Sequence, residues 1–215
     1  MAVTRSNTNV DLCCLLVAVA YRLAPEHKFP AAVEDAIAAV NWVFENAVAL
    51  RIDAHRTGVA GDSAGGNIAA VMAHLSRDGM LPPLAFQLLL YPVVDLVSIS
   101  DSRGSEHLSI PVTGKALMWF RDHYLDCPAM QDNWQVSPLY ASRFDSLPPA
   151  YIVTAGFDPA CDGGVAYAER LLESSSPVMH RHFPGQIHAF LTMGPFFTAT
   201  QDVMDDVAKF IDSVN

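Results

Sequence analysis

The chain has 215 residues, of which 51% are apolar, with 13 basic and 23 acidic side chains and a formal net charge of -10. That length buries one sizeable core without requiring a second, so a single α/β domain over residues 1–215 is expected. The acidic balance, with a sequence pI near 5.0, argues against nucleic acid or an anionic lipid surface as partner, since either selects for clustered Lys and Arg.

The first apolar run, Leu12 to Ala20, is far shorter than the ~20 residues that cross a bilayer, and no signal-cleavage pattern follows it. No membrane span is expected. Within that run, Leu15 to Ala20 reads as a strand buried on both faces of a parallel sheet, because apolar side chains continue without alternation. Thr4 to Val10 is polar and a weak strand candidate. Cys13, Cys14, Cys127 and Cys161 lack Cys-x-x-Cys spacing, and the vicinal pair would point to opposite faces of a strand. Reduced thiols and a cytoplasmic location are expected.

Pro30 suits a first helical turn, and Val33, Ile37, Val40, Phe44 and Val48 after it share one helical face. Thr57 to Ala60 reads as a short strand. A helix rich in small residues opens at Ala64 and stops near Gly79, with Pro82 and Pro83 beyond. Leu84 to Tyr91, Ala150 to Ala155 and Val178 to Phe183 are further strands, while Gly163 to Ser174 and Gln201 to Val214 carry helical spacing. Alternating strands and helices predict a mostly parallel sheet with helices on both faces. Ser98 to Leu147 breaks the rhythm with one aromatic helix around Leu117, Trp119, Phe120 and Tyr124. This stretch, 98–147, is either a surface excursion or a lid-like insertion that walls a substrate pocket.

Gly61-Asp62-Ser63-Ala64-Gly65 lies between the short strand and the small-residue helix. In that strand-turn-helix setting a serine hydroxyl is exposed on a strained turn, and side chains at Gly61 or Gly65 would collide across it. The helix start behind Ser63 favours developing negative charge, with Ala64 N–H as an oxyanion donor. The plain alternative is a βα turn with a helix-capping serine.

A serine needs a base, and the base needs an orienting acid. His188 follows Pro184 and Gly185 just past the last strand. His27, His55, His74, His107 and His123 sit on helices or polar loops and are read as solvated. His180 and His182 alternate along a strand, a metal-compatible spacing without an evident third ligand. Asp158 ends the strand from Ala150, at the carboxyl edge where Ser63 and His188 are expected. Asp162 competes with it but is explained equally by the start of a helix. The order Ser63, Asp158, His188 is that of an α/β-hydrolase triad. Asp62 is a candidate for the substrate pocket, as are Tyr91 and Asp95, whose alternative is a hydrogen-bonded turn. No cofactor or metal is expected. Arg22 and Glu26 are assigned to structure, as a charged pair at a strand-to-helix turn. The strand over 178–183 would be an exposed edge, where a homodimer contact is expected.

Four segments in order, Tyr21-Arg22-Leu23-Ala24-Pro25-Glu26, Gly61-Asp62-Ser63-Ala64-Gly65-Gly66-Asn67, Thr154-Ala155-Gly156-Phe157-Asp158-Pro159 and Pro184-Gly185 through His188-Ala189-Phe190, resemble the hormone-sensitive-lipase-like carboxylesterases. The resemblance runs from about Leu15 to the C-terminus. It implies an α/β-hydrolase fold and hydrolysis of short to medium acyl esters without a cofactor, with Ser63 as nucleophile, Asp158 as acid and His188 as base. The family's His-Gly-Gly-Gly oxyanion motif and N-terminal cap have no counterpart, since the chain has no Gly-Gly-Gly. An N-terminally shortened member is therefore expected, either slowed or idle for want of oxyanion donors, or a ligand-binding relative.

Overall fold

The computed structural model describes residues 2–5, 14–99 and 112–214. Two strands, β1 (Ala2–Arg5) and β2 (Leu15–Ala18), form an antiparallel pair. This corrects the expectation of a buried parallel strand at 15–20: Leu15 and Val17 are half-buried while Leu16 and Ala18 are exposed. An unbroken apolar run reads as doubly buried, but here the strand is covered on one face only and alternates accordingly. Thr4 and Arg5 of the weak strand candidate fall in β1; its residues 6–10, with Cys13 and His107, lie outside the described residues.

Helix α1 (Ala31–Glu45) follows Pro30, and the short α2 (Ala47–Leu50) leads through a turn to β3 (Val59–Asp62). From Ser63 the chain enters α3 (Ala64–Arg77), which ends where Gly79 adopts φ +72°, the left-handed geometry that glycine takes at no steric cost. Strand β4 (Gln87–Leu90) is shorter than the apolar run that predicted it. Beyond it lie α4 (Gly114–Tyr124), β5 (Ala150–Phe157), α5 (Cys161–Glu173), β6 (Val178–Ile187) and α6 (Ala199–Ser213).

Strands β3, β4, β5 and β6 pair in that order, all parallel. Side chains of β5 alternate across this sheet: Ala150 and Ile152 pack toward α3 and α5, whereas Tyr151, Val153 and Ala155 meet Val203 and Phe210 of α6. Helices thus cover both faces, as the alternating elements require. A third cluster joins α1 to α3 through Val33, Ala36, Val71 and Leu75. Into it the 112–147 segment inserts Leu117, Leu125 and Val136. Asn67, buried on α3, fastens this segment by donating from Nδ2 to the carbonyls of Val93 and Val136, both at 2.7 Å.

Among the described residues β3 pairs on one side only, and its Ala60 and Asp62 are exposed. Among the described strands the one that leads to Ser63 is therefore an edge. Its surroundings explain the charged residues nearby: Arg22 grips Asp35 through Nε and Nη2 at 2.8–3.0 Å and reaches Glu34 at 3.2 Å. This corrects the pairing of Arg22 with Glu26, because α1 brings acids from one turn inside the helix to the guanidinium. The role is structural, as anticipated.

Candidate active site

Ser63 stands between β3 and α3 with φ +52° and ψ -116°. A non-glycine residue there is strained by on the order of 1–3 kcal/mol and persists only where its surroundings hold it. Three hydrogen bonds do so: Ser63 N–H donates to Leu90 O at 2.9 Å, and Ser63 O accepts from Asn67 N–H at 3.1 Å and Val93 N–H at 3.2 Å. Gly61 is required because a Cβ would lie 2.2 Å from the Gly65 carbonyl. Gly65 is a correction, since a Cβ on it would meet nothing within 4 Å. The turn presses the Gly65 backbone against Gly61, while the Gly65 side-chain direction faces open space.

The acid and base arrive from β5 and β6. A Cβ at Gly156 would sit 2.2 Å from the Pro184 carbonyl, so its absence lets β6 run close against β5 where the pairing register shifts. Asp158, 1% exposed, accepts from Ala160 N–H at Oδ1, 2.8 Å away. Its other oxygen, Oδ2, lies 2.7 Å from Nδ1 of His188, itself 2% exposed. Since a carboxylate accepts, Nδ1 carries the proton and Nε2 is left as acceptor. Nε2 lies 2.8 Å from Ser63 Oγ. The hydroxyl therefore donates to a histidine held in the tautomer that can take its proton.

Around this row, Ala64 opens α3 exposed, and its N–H has no acceptor among the described residues. Asp62 is exposed beside Ser63. Tyr91 is only 2% exposed and lies beneath His188 instead of facing open solvent. Burial, then the Asp62 and Asp158 carboxylates, push its hydroxyl pKa up. Asp95 forms the hydrogen-bonded turn, accepting from Val97 and Ser98 N–H at 2.8 and 3.0 Å. Asp162 sits in the first turn of α5.

The other histidines divide. His27 and His55 are exposed, and His123 stacks on Trp119 with ring centroids 3.9 Å apart. His74 corrects the solvated reading, being fully buried, with Nε2 3.0 Å from the Tyr167 hydroxyl. Its helix was legible, but which face met the core was not. His180 Nε2 and His182 Nδ1 both meet Thr154 Oγ1, at 2.8 and 2.9 Å. Among the described residues no three or more His, Cys, Asp or Glu gather as a metal site.

The sequence profile of the alpha/beta hydrolase fold family matches residues 6–192. The chain belongs to the hormone-sensitive-lipase-like branch of the α/β hydrolases. Within that family it is 41% identical over 184 residues to the carboxylesterase NlhH of Mycobacterium tuberculosis, an alignment spanning 82% of this chain and 56% of that protein. It is 38% identical over 183 residues to an ethyl acetate hydrolase of Pseudomonas putida, covering 83% of this chain and 57% of the relative. The chain thus spans little more than half the length of these relatives. Among solved structures, the thermostable carboxylesterase EstE1 from a metagenomic library superposes with TM-score 0.87 at 39% identity, over 93% of this chain and 69% of that one. The family's strand-turn-helix elbow, acid loop and histidine loop are the segments that converge here.

Two features lay outside the sequence reading. Asn67 falls within the elbow segment, but its grip on Val93 and Val136 depends on residues 26 and 69 positions away. Tyr91 was placed near the pocket, but its contact with His188 could be found only from the turn that ends β4.

Proposed function

We propose that the chain hydrolyses carboxylic esters of short to medium acyl length through an acyl-serine intermediate. The observation that carries this reading is the continuous hydrogen-bonded row from Ser63 Oγ through His188 to Asp158. In it, Ser63 Oγ attacks the ester carbonyl carbon as its proton passes to His188 Nε2. The tetrahedral oxyanion accepts from Ala64 N–H. Collapse breaks the carbon–oxygen bond to the alcohol, which leaves with the proton from His188. Water then gives its proton to His188 and attacks the acyl carbon, and collapse releases the acid and returns the proton to Ser63. Asp158 remains ionised and stabilises the imidazolium.

In the same reading residues 98–147, of which 100–111 lie outside the described residues, act as a lid-like insertion, supported by Trp119 and Phe120, which stand 56% and 52% exposed on α4. Two copies join through β6, which among the described strands pairs with β5 alone. Among the described residues Cys14, Cys127 and Cys161 form no disulfide, which supports work in a reducing cytoplasm. No described helix is long and apolar enough to cross a membrane.

A second reading, the same chemistry at feeble turnover, is favoured by the outer edge of β3, which no described strand pairs. Among the described residues no neighbouring strand brings a second donor beside Ala64 N–H, and loss of one oxyanion donor costs about 10² to 10³ in rate, roughly 3 to 4 kcal/mol.

The test is release of p-nitrophenolate from p-nitrophenyl acetate and butyrate, beside a Ser63→Ala control. Release by the wild type and its loss in the variant are expected. Equal rates from the two proteins, or no release from either, overturn the esterase reading.

A further inference from the structure

We propose that Tyr91 is a positioning residue for the general base, its ring resting 5.1 Å from the His188 ring at a tilt of 59° and holding the imidazole in line with Ser63 and Asp158. This rests on the esterase reading and adds to it a residue that touches neither substrate nor the reacting atoms. At 2% exposure Tyr91 has no surface to offer an ester, which separates this role from that of a pocket wall.

The need for such a brace follows from the hydrogen bonds themselves. His188 is held at Nδ1 by Asp158 and at Nε2 by Ser63. Bonds at those two atoms fix where the ring lies, but they resist poorly a rocking motion about the line joining the nitrogens. Packing against the ring resists it. Tyr91, tilted 59° to the imidazole with centroids 5.1 Å apart, supplies that packing, and is itself backed by Phe190 at 5.9 Å, with Phe183 5.5 Å beyond. Phe190 is fully buried, so the ring directly behind Tyr91 is held by the core.

The backbone gives an independent sign. Tyr91 takes φ +38°, in the left-handed region that bulky residues rarely enter. Its N–H donates to Val153 O at 2.8 Å, anchoring the turn as β4 ends. An ordinary extension of the strand would carry the ring elsewhere on the sheet edge. Strained residues of this kind gather at functional sites, where the surrounding structure over-determines them. The chemistry also suits the place. When His188 takes the Ser63 proton it becomes a cation, and an aromatic ring within about 6 Å favours a cation. Burial and the nearby Asp62 and Asp158 carboxylates keep the phenol protonated, so it does not compete as a base.

The experiment compares wild type, Tyr91→Phe, Tyr91→Leu and Phe190→Leu, using p-nitrophenyl acetate turnover and the rate at which a fluorophosphonate labels Ser63. Tyr91→Leu is expected to lower kcat and the labelling rate by about tenfold while KM moves less than about twofold, as a slightly misplaced base would. Tyr91→Phe keeps the ring and stays within about twofold of wild type in both, and Phe190→Leu falls between them. A Tyr91→Leu protein with wild-type kcat, or one whose loss lies in KM, overturns the proposal. If circular dichroism shows that Tyr91→Leu does not fold, Phe190→Leu decides, and a wild-type labelling rate in it overturns the proposal. A wild type that neither turns over nor labels instead overturns the esterase reading on which this rests.

Discussion

Ser63 Oγ and His188 Nε2 lie 2.8 Å apart although 125 residues separate them in the chain. Contact over that separation is made by the sheet, which brings the ends of β3, β5 and β6 to one edge. The order in which the groups bond then sets a prediction. Asp158→Asn offers an amide where Nδ1–H needs an acceptor, so the wrong tautomer gains and kcat falls by about 10³ to 10⁴ with little change in KM. Asp162→Asn, in the first turn of α5, leaves kcat unchanged. Steady-state kinetics of the two variants, side by side, check this; equal effects would refute the assignment of Asp158.

The two glycines that flank the nucleophile are expected to behave oppositely. Gly61→Ala would force a Cβ to within 2.2 Å of the Gly65 carbonyl. The elbow must open to admit it, and a loss of about 2 kcal/mol or more in stability, with loss of Ser63 reactivity, is expected. Gly65→Ala meets open space and lies in a helix, where alanine is favoured by up to about 1 kcal/mol. Urea unfolding of both variants separates the cases, and a destabilised Gly65→Ala would contradict the geometry.

The elements that sequence reading located best are those whose signal is local. The elbow, the stop of α3 at Gly79 and the helix after Pro30 each follow from residues within one or two turns of one another. The meeting of Ser63, Asp158 and His188 was legible because three short loops each carried their own pattern, glycines alone around Ser63 and glycine with proline beside Asp158 and His188. What escaped depended on neighbours. Leu15 to Ala18 has the composition of a buried strand but lacks a second covered face. His74 lies on a helix whose C-terminal turn looked polar, yet Trp134, Phe144 and Tyr167 close over it. The Thr154 hydroxyl between His180 and His182 required the β5 to β6 register, which pairs Thr154 with His182.

Among the described strands β6 ends the sheet, and its outer edge is the surface proposed for pairing between copies. Sedimentation equilibrium at micromolar concentration is expected to return twice the 23.3 kDa chain mass. Met179, 43% exposed on that strand, is the position to perturb. Met179→Lys places a charge along the edge, a device that discourages strand pairing, and should shift the protein toward monomer. A wild type that sediments as a monomer would remove the homodimer from the functional reading.

His74 makes the stability of the fold depend on pH in a window of its own. Its ring is fully buried on α3. Burial first, then the Arg77 charge, pushes its pKa down to about 3 from the usual 6.5. Between those two values the unfolded chain binds a proton that the folded protein refuses. Stability from this group is therefore complete above pH 6.5 and drains away as pH falls toward 3. At pH 4 the loss relative to pH 7 is on the order of 2–3 kcal/mol. Asp35, Asp78 and Asp145 have pKa values lowered by their arginine partners and contribute stability that is lost only at still lower pH, below the usual carboxylate value of 3.8. His180 is shifted down as well, by burial and then by His182, but it is common to wild type and variant and cancels in the comparison. His74→Phe removes the titrating ring from its aromatic surroundings. Urea midpoints at pH 7 and pH 4 should then differ less in the variant than in the wild type, whatever its absolute stability. An equal pH dependence in the two proteins would mean that His74 is protonated at ordinary acidity, and that its burial is looser than the packing of Trp134, Phe144 and Tyr167 implies.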